Sequence, residues 1–422
     1  MRKATKLLLL VLLSVALASS VGSAKTVITF WSHTHPPMVD LNEELIEEFE
    51  RLNPDIEIEY TVIPNNDFFT KVLTAMSTGT GPDVINMSSG NSQISVYMES
   101  GIVAPIIPEV FGFSSQEELK DAWLSGAFDA VTKDGVIYGV PSEYNTTALL
   151  INKRHFEEAG LDPNNPPKSW QEVLEYGEKL AIRDKNGEII RRGFDFLYAP
   201  NFFWVCFGNL LAQYGGSYLN EDHTECTLNS PEAVQALQFW YDLVYKDKIA
   251  GPHLSMMDST NIMTDFIMET VSMSLVFPWS VELLRDTPVW EDAVIVPLPQ
   301  LDPENPVNLA WAYYWMVNKD AADVKAAWKL VSFLASHPAR WLSDVGFIQP
   351  RKGWSDSPEA QAFPFIEVWL SEMNNSWFGD RSIHLSEILT SLRMAIERSI
   401  MDGVDPQTSL DQAKQEIDRL LN

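Results

Sequence analysis

The chain has 422 residues, 45% of them hydrophobic and 21% charged, and 58 acidic side chains against 30 basic ones leave a net charge of −28. This is the composition of a folded chain, and its length calls for two cores rather than one. Its negative field repels polyphosphate, which argues against nucleic acid as a partner.

Residues 1–24 read as an export signal. Arg2, Lys3 and Lys6 precede the apolar run Leu7–Ala18, and Gly22 and Ala24 stand where a signal peptidase reads small side chains. The run is shorter than the ~20 apolar residues that span a bilayer. Cleavage is expected after Ala24, and no cysteine follows to carry a lipid anchor. The mature protein is therefore expected to be exported, soluble and extracytoplasmic.

Strand and helix patterns then alternate. Val27–Trp31 is a short strand, and Met38, Leu41, Leu45, Phe49 and Leu52 recur at helical spacing until Pro54. Ile56–Val62 alternates with Glu57 and Glu59 as a half-buried strand; Phe68–Met76 is a second helix; Asp83–Met87 is a third strand. This order implies parallel strands joined by right-handed crossovers. In such sheets ligands collect beyond the carboxyl ends of the strands. Those ends are Trp31–His35, Pro64–Asp67 with Asn66, and Met87–Asn91 with Ser88 and Ser89.

Further strands are expected at 136–141, 144–151, 193–198, 271–277 and 309–317. Helices are expected at 152–159, 169–182, 203–214, 231–246 and 324–334, with two more in 384–422. No repeat or long linker separates two halves, so the lobes are expected to be interleaved.

His33 and His35 share a face of an extended segment, which would suit two zinc ligands, but no third ligand is marked and no metal or other cofactor is assigned. Their alternative use is contact with sugar hydroxyls. Gly79-Thr80-Gly81-Pro82-Asp83 lacks the Gly-Lys-Ser/Thr ending of a phosphate loop, and Asp83 stands at the wrong end of its strand for a ligand. No Gly-x-Ser-x-Gly elbow is present, so catalysis has no positive sign. Cys206 and Cys226 are permitted a disulfide by an oxidising compartment, but two cysteines do not establish one. Among the aromatics, Trp31, Tyr144, Trp204, Trp279, Trp311 and Tyr313 sit at element ends, where a flat face can stack on a sugar ring. Trp279, emerging after Pro278 at the end of a strand, is expected to be the main platform.

An ordered series of motifs resembles the family 1 extracellular solute-binding proteins, the sugar-binding components of bacterial ABC importers. It runs through Ile28-Thr29-Phe30-Trp31, Phe49–Ile56 and Gly79–Val84, then Gly135–Pro141 and Asn152-Lys153. Phe156–Leu161, Ser169–Val173, Asn229–Ala233, Pro278-Trp279 and Ala326–Val331 continue it. The resemblance implies two α/β lobes, each a mostly parallel sheet flanked by helices, that close over ligand about hinge strands near Glu143–Ile151. It places lobe 1 at 25–145 and 281–340, and lobe 2 at 146–280 and 341–422. It adds Glu143, Tyr144 and Asn145 on the hinge strand to Trp31, His33, His35, Asn66, Ser88, Ser89, Asn91, Trp204, Trp279, Trp311 and Tyr313. The implied partners are a sugar or short oligosaccharide and the membrane subunits of an importer, with the binding protein itself a monomer. The alternative reading is a secreted carbohydrate-active or zinc hydrolase.

Overall fold

A computed structural model describes residues 25–90, 92–197, 202–222, 224–251 and 262–421, so the expected signal segment and Asn91 lie outside it. The first strand, β1 (Thr26–His33), is followed by α1 (Pro36–Leu52), β2 (Ile56–Ile63), α2 (Asn65–Ser77), β3 (Val84–Ser88) and α3 (Gln93–Glu99). β2 and β3 both pair with β1 in parallel, as the β-α-β-α-β pattern requires. α1 buries Met38, Leu41, Leu45, Ile46 and Phe49 along one face. Each such side chain contributes roughly 1.5–3 kcal/mol when fully withdrawn from water. Asp83 does structural work at the far end of β3: its carboxylate accepts from the Thr29 N–H at 2.7 Å, the Thr29 hydroxyl at 2.8 Å and the Ala322 N–H at 3.1 Å.

The chain next forms β4 (Gly139–Asn145) and β5 (Ala148–Asn152), separated only by Thr146 and Thr147. These two strands belong to different sheets. Beyond them come α4 (Trp170–Leu180), α5 (Phe203–Gln213), α6 (Pro231–Tyr245), β6 (Met273–Val276) and β7 (Ala293–Val296). Ser169 and Glu172 close a reciprocal capping box at the start of α4. The return into the first sheet is β8 (Asn308–Val317), followed by α7 (Val324–Ala335), α8 (Pro338–Val345), α9 (Ile366–Asn374) and β9 (Ser376–Phe378). The tail helices are α10 (Leu385–Asp402) and α11 (Pro406–Leu421), and Asp405 caps the latter through the Thr408 N–H at 3.0 Å. α10 and α11 pack with α5 and α6 in the second lobe.

Three expectations are corrected. The second sheet is not mostly parallel: β5 lies between β6 and β7 and is antiparallel to both, with parallel neighbours only as isolated bridges from Arg192 and Asp195. The reason is topological. The chain enters the second lobe along β5, and both neighbours run back toward the first. Those bridges are also all that the strand expected at 193–198 becomes, and Tyr198 lies outside the described residues. The lobe boundaries shift as well. β7, expected with the first lobe, pairs with β5; α8, which the expected boundary at 340 divided, packs on α1, and β9, expected with the second lobe, pairs with β8.

Cys206 and Cys226 are both buried free thiols. Among the described residues no helix is long and apolar enough to cross a membrane.

Candidate ligand-binding cleft

β8 organises the cleft. It is antiparallel to β3 on one pairing and to β4 on another, and the registers set Tyr313 opposite both Ser88 and Glu143, and Trp311 opposite Asn145. Because residues two apart on a strand share a face, Trp311 and Tyr313 point the same way. β1 delivers His33 beside this row, its ring 5.1 Å from Tyr313 and 5.7 Å from Phe68. His35, at the entry to α1, stacks on Phe347 at 5.6 Å.

The second lobe supplies the opposing wall. Trp279 follows β6 in a short helical turn, and its ring meets His35 edge-on at 5.5 Å across the cleft. Phe277 and Phe202 lie 5.9 and 5.4 Å from it within its own lobe. Trp279 is therefore only 5% exposed, and the free face expected of a stacking platform is covered. Trp204, at the start of α5, meets Trp311 at 6.2 Å, and Phe277 meets Trp311 at 4.9 Å.

The polar atoms inside this aromatic wall lack partners. Among the described residues, His33 Nδ1, both ring nitrogens of His35 and Glu143 Oε2 are buried without a hydrogen-bond partner. Leaving such groups unmade costs about 1–3 kcal/mol each. Burial, with the like charge of His35 adding to it, lowers His33 to about 3; burial lowers His35 to about 4. Burial raises Glu143 to about 8 against a weaker opposite pull from Asn145. Burial also pushes the Tyr313 phenol up, with the charge of Glu143 adding and a bond to Ser88 opposing. Among the described residues no Lys or Arg lines this deep compartment. Among the described residues no three His, Cys, Asp or Glu side chains converge as a metal site.

His33, His35, Glu143, Trp279, Trp311 and Tyr313 thus line one compartment together with Asn65, Phe202 and Phe347. Ser88 and Trp204 line a wider groove that opens from it. The other expected residues stand elsewhere. Trp31 is half-buried against the core, Tyr144 turns away to bond Ser376 at 2.8 Å, and the Ser89 hydroxyl accepts the Ala312 N–H at 3.1 Å. The Asn145 amide stands beside Glu143 and opposes the rise of its carboxyl. The Asn66 side chain and Asn91 lie outside what is described. Sequence reasoning missed Phe347, which follows a glycine with no pattern to mark it, and the groove residues on α10.

The bacterial extracellular solute-binding protein family model matches residues 35–341. The maltotriose-binding protein of Pyrococcus abyssi is 24% identical over 412 residues, covering 94% of this chain and 82% of that one. A solute-binding protein of Thermotoga lettingae bound with α-D-tagatose superposes with a TM-score of 0.81 at 20% identity, covering 94% of this chain and 100% of the other. A maltose-bound protein of T. maritima gives 0.81 at 22% identity, with 94% and 100% covered. These likenesses establish the two-lobed fold, and with the match across most of its length the chain belongs to the family of bacterial extracellular solute-binding proteins.

Proposed function

We propose that this chain is the exported capture component of an ABC importer, binding a sugar or short oligosaccharide between its lobes and delivering it to membrane subunits without altering it. The observation that carries the reading is the set of orphaned polar atoms on His33, His35 and Glu143, enclosed by Trp279, Trp311 and Tyr313. A sugar offers hydroxyls that donate and accept at its rim and C–H faces that stack on rings, and it answers both demands at once. The named ligands of the relatives, tagatose, maltose and maltotriose, support the same class. Closure follows from the same geometry: ligand touching both walls favours the closed arrangement, and the Thr146–Thr147 crossing between β4 and β5 is where the lobes would turn. Residues 1–24 would direct export and be removed.

Thermal unfolding of the protein lacking residues 1–24, across a panel of neutral sugars, tests the reading. A ligand at 100 times its dissociation constant stabilises the fold by about 2.7 kcal/mol. One sugar series should raise the midpoint saturably. A flat response to all of them, or sugar returned as cleaved product, would count against it.

A further inference from the structure

The cleft is graded in size, and the grading bears on ligand length. The deep compartment around Glu143 and the two histidines has a volume of about 20 Å³. That is room on the scale of one water molecule, not of a sugar ring with its hydroxyls. The groove that continues from it has about 380 Å³ and shares Asn65, Phe202, Trp311 and Tyr313 with it. A space of that size falls in the range of small-molecule sites.

The groove's two banks come from different lobes. α2 provides Phe69 and Thr70, and α10 provides Ser386, Thr390 and Arg393. The spacings 386, 390 and 393 set those three on one face of α10. Phe69, Trp204 and Tyr313 are each only partly buried, so ring surface remains open to the groove, unlike that of Trp279. Arg393 Nε pairs with the Glu397 carboxylate at 3.7 Å and has no hydrogen-bond partner among the described residues.

We propose that the cleft selects an oligosaccharide over a monosaccharide. Its rings lie in the outer groove between α2 and α10, against Phe69, Trp204 and Tyr313. Only the hydroxyl-bearing arm of the end ring enters the deep compartment, where Glu143, His33 and His35 read it. The end unit is uncharged, because among the described residues that compartment holds a carboxyl and no Lys or Arg to receive an anion. This inference rests on the sugar reading above and narrows it to a chain of at least two rings.

Three length series test it by calorimetry: glucose, maltose and maltotriose; mannose, mannobiose and mannotriose; arabinose and its di- and trisaccharide. In the series that binds, the di- or trisaccharide should bind at least about tenfold more tightly than the monosaccharide. Thr390→Trp, on an exposed position of α10, should weaken the oligosaccharide at least about tenfold while leaving the ligand-free unfolding midpoint unchanged. A monosaccharide that binds as tightly as its oligomers, or an oligosaccharide indifferent to Thr390→Trp, would overturn the length selection and leave the sugar reading standing. Silence from every series would overturn the sugar reading, and this one with it.

Discussion

Trp204 of the second lobe lies so close on Gly90 of the first that a Cβ built on Gly90 would stand 2.2 Å from the indole Cζ2. Gly90 does not need the left-handed conformation, so its backbone would accept an ordinary residue. The glycine is required by the approach of Trp204 alone. Nearby, the Ser92 and Ser386 hydroxyls join the same two lobes at 2.8 Å. Gly90→Val is expected to hold the lobes apart and weaken ligand binding about tenfold or more, with the ligand-free unfolding midpoint nearly unchanged. Calorimetry and thermal unfolding separate the two effects; unchanged affinity would show that this contact plays no part in closure.

The chain's crossings between sheets are tied by one asparagine. Asn308 Oδ1 accepts the Thr147 N–H at 3.1 Å, and its Nδ2 donates to the Thr147 carbonyl at 2.7 Å and to Glu372 Oε2 at 2.6 Å. Asn308→Ala leaves buried groups on both partners short of a bond and should cost about 3 kcal/mol of stability. Urea unfolding measures it, and a loss under about 1 kcal/mol would contradict this role.

Glu372 itself gives a pH signature. Burial raises its carboxyl to about 7, with the bonds from Asn308 and the Leu298 N–H opposing the shift. A folded value above the unfolded one means that the contribution is whole below the ordinary carboxylate range and lost as pH rises through about 7. Glu372→Gln should therefore flatten the decline in stability between about pH 5 and pH 8. An unaltered slope in that variant would contradict the assignment.

The cleft histidines have the opposite sign. Their values as buried here, about 3 and about 4, lie below the ordinary ~6.5, so burying them under the opposing lobe is fully supported above that and opposed as pH falls through it. Glu143, raised to about 8, has the sign of Glu372: it disfavours burial progressively as pH rises from the ordinary carboxylate range through that value, and so pulls against the histidines over the same window. The double variant His33→Gln, His35→Gln should therefore bind with a shallower acid limb than wild type between about pH 7 and pH 5, Glu143 pulling the other way in both proteins. Titrations across that range decide it; an identical acid limb in wild type and variant would contradict the claim.

Much of this arrangement was legible beforehand, for identifiable reasons. Ile56–Val62 alternates and Met38–Leu52 repeats at helical spacing, and both periods survive in the fold because one face of each is buried. The strand ends at His33 and Ser88 were expected from the rule that parallel strands offer ligands their carboxyl ends, and Glu143 from the family resemblance at the hinge strand. The antiparallel second sheet did not follow, since every residue of Ala148–Asn152 is buried and such a strand carries no sign of its neighbours' direction. Trp279 emerged where expected, but its covering by Phe202 and Phe277 is a tertiary fact. Ser386, Thr390 and Arg393 were hidden because polar positions on an amphipathic helix look the same whether they face water or a ligand.

Trp279→Ala consequently reports on more than binding. Truncating a ring packed on Phe202 and Phe277 should cost the ligand-free protein about 3 kcal/mol or more, in addition to weakening ligand. Unfolding of the ligand-free variant checks this, and a negligible loss would restore Trp279 as a ring held chiefly for the ligand.

The account stands most directly on one titration: the best-binding neutral oligosaccharide into wild type and into Glu143→Ala, followed by heat of binding with the sugar recovered afterwards. It predicts one ligand per chain, sugar returned intact, and affinity reduced about thirtyfold or more in the variant, about 2 kcal/mol for losing a buried anchor. Equal affinity in the two proteins would place the ligand elsewhere than this cleft and contradict the account.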